Sequence, residues 1–320
     1  GASQTVATLD GTPASESYYD LVINGSGTKT LAGTSTVYGD LILTASDFDL
    51  DGNTIYPKND ITRNSGNLIA GSESSVTFDN AGTHDLCAFS DADINLKTIT
   101  TGGSVTTTGN ITCKSIQLMS GTKTFLIDGE DVIVEDDIEV TAGTLQMTGG
   151  SITVNSDLST SVLVEGGTLD IDAGTLNIGS STDSEADLKM TSGTVDISGG
   201  TVNINDQTNI EGGTFTQSGG TINSVSYSGA SYGSNADKFS ILTGTLNLTG
   251  GTLYLRGQAN SASYDAMYAA SGVTVNSTTS HTTIVQPYNT NDENMYLNLN
   301  GKELGNLTIN LDESSHEVYL

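Results

Sequence analysis

Cationic residues are scarce in this 320-residue chain. Ten lysines and arginines stand against 38 aspartates and glutamates, for a formal net charge of −28. Arg63 and Arg256 carry the only guanidinium groups, so the basic track that phosphate binding requires is missing and nucleic acid is excluded as a partner. No apolar run reaches the roughly 18 residues of a membrane-spanning helix, so no membrane span is expected. Histidine occurs three times, at His84, His281 and His316, without metal-ligand spacing. Cysteine occurs twice, at Cys87 and Cys113. Their separation matches about one repeat and leaves two readings open, a disulfide between adjacent coils or a ladder of buried thiols. The chain opens at Gly1 without a signal-type segment, as a processed, a cytosolic or a trimmed chain would. Few lysines among many Ser, Thr, Asn and Gly favour a secreted, extracellular or cell-surface protein. High net charge alone reads as disorder; the alternation of apolar residues argues against it.

What is abundant is one phrase. Between Glu165 and Ser224, Gly-Thr is followed again and again by an apolar, a polar and an apolar residue. The phrase comes in pairs seven residues apart: Thr168 and Thr175, Thr194 and Thr201, Thr214 and Thr221, and further on Thr245 and Thr252. Counted from Thr144 through Thr168, Thr194 and Thr214 to Thr245, the pairs begin 24, 26, 20 and 31 residues apart. Leu169/Ile171, Leu176/Ile178, Val195/Ile197 and Val202/Ile204 sit two apart, which marks a strand with one buried face, because successive side chains leave opposite sides of the pleat. Glycine supplies the positive φ of a tight corner, and threonine suits a half-buried pleated surface.

Strands this short do not fold as isolated hairpins. A repeat of about 20 to 30 residues carrying two or three of them is a solenoid coil, whose core is covered only by its neighbours. The expected fold is all-β: a parallel β-helix, right-handed by the crossover rule. At about 24 residues per coil it has roughly 13 coils, with strands about 4.8 Å apart.

Residues 1–17 lack the phrase, contain Pro13 and are expected as an irregular arm or cap. Residues 18–320 are expected as a single solenoid domain with irregular, Tyr-rich excursions at about 225–240 and 257–296, the second with faint helical character near Tyr264–Ala270. Between these limits the alternation persists at Leu21/Ile23, Leu41/Leu43, Val76/Phe78, Ile94/Leu96 and Ile116/Leu118. SGTKT occurs twice, at Ser26 and Ser120. The wording DLVINGSGTKTLAGTSTVYGDLIL, with the later GGTLDI and GGTVNI phrases, resembles the repeat regions of secreted prokaryotic β-helix surface proteins. That group includes autotransporter-like passenger repeats and the repeat stalks of adhesins and surface-layer proteins. The resemblance covers about residues 18–255 and is one of repeat style. It implies an exported structural or adhesive role and transfers no catalytic residue.

Asp47, Asp49, Asp51 and Gly52 read as the opening of a calcium loop, yet the twelfth place, which needs an acid, holds Lys58. Residues 41–55 align without gaps on 138–152, setting the three aspartates opposite Thr144, Gln146 and Thr148. They are therefore expected on the outer face of an ordinary strand, with Phe48 and Leu50 inside. Asp136 and Asp137, in the acidic run 129–140, are the other cation candidates. No cofactor is required; calcium is the ion these acids suggest. A polysaccharide-cleaving site would need clustered acids beside a basic residue. Neither Arg nor His lies near Asp136–Asp137 in sequence, and the chain is read as a non-enzyme.

Four of the twelve tyrosines precede residue 57 and the other eight follow residue 226. Tyrosine buries a large area and keeps a hydroxyl for hydrogen bonding, so both ends are expected as contact surfaces. The candidates are Tyr18 and Tyr19 early, and Tyr264, Tyr268, Tyr288, Leu307, Ile309 and Tyr319 late. Leu307 and Ile309 repeat the places of Leu21 and Ile23, so a coil opens there without a polar cap, and bare solenoid ends invite association. The expected function is an extracellular structural protein that assembles with itself, end to end or by strand exchange, into a filament, sheath or surface layer. A second expectation is a monomeric adhesin or stalk that binds surface glycans, with Tyr264, Tyr268 and Tyr288 as a sugar-stacking surface. A polysaccharide lyase or hydrolase is the third.

Overall fold

The computed structural model describes residues 4–6, 18–156, 160–179, 186–225, 239–257, 265–287, 294–311 and 317–320. They contain no helix; parallel strands stack as a β-solenoid of about 11 turns. The count falls a little below length divided by repeat because some coils are long: Ile61 to Leu86 takes 25 residues and Ile210 to Ile241 takes 31. The chain divides into two compact units, Gly1–Gln146 and Met147–Leu320.

In the first unit each coil lays strands on three faces. One face carries Leu21–Ile23, Leu41–Leu43, Ile61–Arg63, His84–Leu86, Ser104–Thr107 and Thr124–Ile127 in parallel succession. The next carries Ser35–Val37, Thr54–Pro57, Ser74–Phe78, Ile94–Thr98, Ser115–Leu118 and Ile138–Val140. On the third, Lys29–Leu31, Phe48–Asp49 and Leu68–Ile69 follow one another, and Phe89–Ser90, Ile111–Cys113 and Asp131–Val134 do the same. The inward residues form columns such as Leu21, Leu41, Ile61 and Leu86, all buried. Part of the expected arm is a rung: Gln4–Val6 pairs in parallel with Lys29–Leu31.

The second unit is built from the Gly-Thr phrase. Its paired phrases fall on two faces, in register from coil to coil. Thr168, Thr194, Thr214, Thr245 and Thr274 form one outward column. Thr175, Thr201, Thr221, Thr252 and Thr282 form the other. The third face carries Leu188, Thr208, Phe239, Met267 and Leu297 in one column. Gly200 (φ 67°) and Gly220 (φ 64°) show why the corners need glycine. A Cβ on Gly200 would sit 2.6 Å from the Gly174 carbonyl oxygen, and one on Gly220 would sit 2.4 Å from that of Gly199. The corners of successive coils nest backbone on backbone.

The excursion expected at 257–296 holds more of the stack than its sequence suggests. Residues 258–264 and 288–293 lie outside the described residues, as do 226–238, but Asp265–Ala269, Thr274–Ser277 and Thr282–Pro287 are stacked strands. The described part of the segment expected to be faintly helical is strand Asp265–Ala269, with Met267 and Ala269 buried and level with Phe239 and Ile241. Alanine and threonine fill inward places there, which blurs the apolar alternation.

Candidate functional site

The core of the second unit comes to the surface at one rung. The inward columns Leu253, Thr283, Leu307 and Leu255, Val285, Ile309 are in register. Leu253, Leu255 and Val285 are fully buried, whereas Leu307 is half-buried, Ile309 is 41 % exposed and Leu311 46 %. Strand Asn306–Ile309 pairs with Thr282–Pro287 along one edge, and no described strand pairs with its other edge. Beside it is a pocket of about 380 Å³ lined by Leu297, Leu299, Leu304, Leu307 and Leu320, with Asn298 and Lys302 also contributing. Leu320 is 84 % exposed.

The opening rung of the first unit differs from the expectation of two bare ends. Leu21, Ile23 and Leu31 are no more than 8 % exposed, so their inward side chains are covered. Tyr19 and Val22 project from this rung and are exposed, while Tyr18 is half-buried and bridges Val37. Tyr268 is half-buried on its strand, level with Ser240. Tyr319 stands opposite Tyr296 in register. Tyr264 and Tyr288 lie outside the described residues.

Asp47, Asp49 and Asp51 alternate with buried Phe48 and Leu50 and face outward, but the strand is only Phe48–Asp49, and Asp51 stands in the turn that follows with φ 47°. Asp47 accepts from the Asn67 amide (3.0 Å), and Asp49 accepts from the amides of Asp51 (3.0 Å) and Gly71 (2.9 Å). These carboxylates cap backbone donors between coils. Asp136 and Asp137 are half-buried, and burial together with the charges of Asp136 and Glu139 raises the pKa of Asp137. No group of three His, Cys, Asp or Glu is arranged to hold a metal ion among the described residues.

Cys87 and Cys113 are free, buried thiols. Pairing of Phe89 with Ile111 and of Leu86 with Thr107 brings Cys87 level with residues 108–109, not with Cys113. The local coil is about 22 residues rather than 26, so the two are out of column and a disulfide does not form. Burial pushes the Cys87 thiol up to about 11 and Cys113 higher still, which keeps both protonated and unreactive at neutral pH.

The sequence reading missed the buried cations. Lys123 is fully buried and donates to the carbonyls of Asn80 (2.9 Å) and Gly82 (2.6 Å), both two coils back. Burial pushes its pKa down to about 8. Lys29, at the same place in the other SGTKT copy, donates to Ser26 (2.8 Å) and Gly27 (3.3 Å). His84, also fully buried, holds the Asn59 carbonyl through Nδ1 (3.0 Å), and its Nε2 has no hydrogen-bond partner among the described residues. The duplicated SGTKT was the available signal: a lysine held at one place in two coils has a structural job.

These features define a parallel β-solenoid repeat protein. Compared with protein-family models, curated proteins and solved structures, the chain matches none.

Proposed function

We propose that this protein is an exported structural solenoid that associates with copies of itself through the uncovered rung at Asn306–Ile309. The observation that carries the reading is the emergence of the Leu307 and Ile309 columns from full burial to exposure. Covering the exposed part of each side chain would gain a fraction of the roughly 1.5–3 kcal/mol that full burial gives, and the strand edge left unpaired among the described residues offers backbone groups to an incoming strand. End contact is favoured over strand exchange by the arm, because Gln4–Val6 already pairs within its own chain. A structural role rather than a catalytic one is favoured by the use of the carboxylates at 47 and 49 as backbone caps and by the enclosure of Lys123 and His84.

The net charge of −28 opposes association, so assembly strengthens as salt or divalent cations screen it. Sedimentation velocity and negative-stain microscopy over a salt series test the reading. The expected result is salt-promoted oligomers that Leu307→Lys and Ile309→Lys abolish. A chain that remains monomeric at every salt concentration rules it out.

A further inference from the structure

One face of the second unit is set apart by its lack of acid. The strands Ser151–Val154, Thr175–Ile178, Thr201–Ile204, Thr221–Val225, Thr252–Gly257 and Thr282–Pro287 contain no Asp or Glu, in a chain with 38 of them, and their single charge is Arg256 at one margin. Their outward residues form two columns, Ser151 with the threonines and, two residues along, Thr153, Asn177, Asn203, Asn223, Tyr254 and Ile284. All of these are half-buried, so none stands proud and the face is flat.

The asparagines are locked to one another. Asn223 donates to Asn203 (2.8 Å), Asn203 to Asn177 (2.8 Å), and Asn177 to the Thr153 hydroxyl (3.3 Å). A primary amide has two N–H donors and two acceptor lone pairs. The ladder uses one donor of each asparagine and one lone pair of Asn177 and of Asn203, leaving a donor and an acceptor side by side at fixed orientation. That combination matches the neighbouring hydroxyls of a sugar ring, and the half-buried Tyr254 ring extends the column with an aromatic surface suited to sugar C–H groups.

We propose that this flat face binds the surface of an uncharged, insoluble polysaccharide of the cellulose or chitin class. Charge selects the ligand: an acidic protein approaches a neutral polymer most readily through its one acid-free face, and repels anionic glycans elsewhere. Area argues against a second copy of the chain. At the strand spacing the face measures roughly 30 Å by 10 Å, about 300 Å², well under the roughly 800 Å² per partner of a stable protein interface. A polymer surface needs no such area per contact, since its binding sites repeat. The proposal rests on the second unit alone and stands whether or not the rung at 306–309 recruits copies.

Co-sedimentation of the full chain with microcrystalline cellulose and with chitin powder tests it. The expected result is saturable binding to one or both, weakened about tenfold or more by Thr201→Asp with Asn203→Asp, because each buried, unpaired carboxylate costs more than a kilocalorie at such a contact. Thr216→Asp, on the neighbouring face, retains binding. Should the double variant fail to fold, Tyr254→Ala at the margin serves instead and weakens binding in the same direction. Absence of co-sedimentation with both powders, equal loss in Thr216→Asp, or undiminished binding in the face variants overturns the proposal. So does a face that inhibits ice growth without binding polysaccharide, or one whose variants change only the oligomeric state.

Discussion

The two units close the same three-faced coil with a different balance of means. In the second, glycine does it: positive-φ residues such as Gly200 and Gly220 let one corner rest on the carbonyls of the corner before it. In the first, glycines such as Gly103 and Gly121 nest as closely, and polar side chains add to them. Asp20, Asp40 and Asp60 each accept the backbone amide of a residue in the following coil, at 3.0, 3.3 and 2.9 Å. Lys29 and Lys123 gather loop carbonyls from inside. A corner must satisfy its backbone groups and let its neighbours come close. A missing Cβ meets the second need, and a capping side chain meets the first. The irregular text of the first unit combines both devices, and the regular repeat of the second leans on glycine.

The largest effect that sharpens this contrast is expected at Lys123. Lys123→Met removes a buried ammonium and leaves the half-buried Asn80 and Gly82 carbonyls without their donor, and is expected to cost about 3 kcal/mol in urea unfolding. Lys29→Met, whose partners lie in its own turn, should cost about 1 kcal/mol. Equal losses would show that the two copies are not used differently. Next comes glycine. Gly220→Ala is expected to lose about 2 kcal/mol through a left-handed backbone and a clash with Gly199. Gly102→Ala in the first unit, with φ 76° and nothing within 4 Å of the added carbon, should lose only about 1 kcal/mol. If the two losses match, close nesting is not what the second unit requires.

A smaller effect is expected on acidification. Burial holds His84 and His281 below their ordinary pKa values, and Lys123 adds to the lowering at His84, opposed by Asp60 and Asp79. Unfolding frees both rings to take up protons below about pH 6.5. Their contribution is therefore present at neutral pH and lost as pH falls. Melting temperature should drop between pH 7 and pH 5, and His84→Gln or His281→Gln should each recover roughly 2 °C of that drop. His281 hydrogen-bonds through both ring nitrogens, to Gly250 and Thr283, so recovery is expected to be greater for His84. The smallest effect is at Asn203→Ala, which breaks a half-buried ladder on the outer face and should cost about 0.5 kcal/mol by calorimetry.

How much could be read from sequence follows the same division. The phrases at Thr168, Thr194, Thr214 and Thr245 announced their own register, because identical short strands stacked in parallel have few other ways to align. The outward setting of Asp47, Asp49 and Asp51 was legible from an internal alignment alone. Lys123 was not, since a lysine beside Gly-Thr reads as a turn in water, and only three-dimensional closure shows the carbonyls waiting for it. Cys87 and Cys113 misled because an average repeat length stood in for the local one. The covered rung at Leu21 and the open rung at Leu307 share their wording and differ only in what lies against them, which no pattern within the strand records.

One coil of the second unit travels from Thr208 to Phe239 in 31 residues, where the preceding coil goes from Leu188 to Thr208 in 20. The strands Thr221–Val225 and Phe239–Ile241, on either side of residues 226–238, stay in register with the coils before and after them. Pitch in this stack is therefore set by which residues meet across neighbouring coils and not by how many residues each coil contains, so one coil can lengthen while the next keeps its alignment.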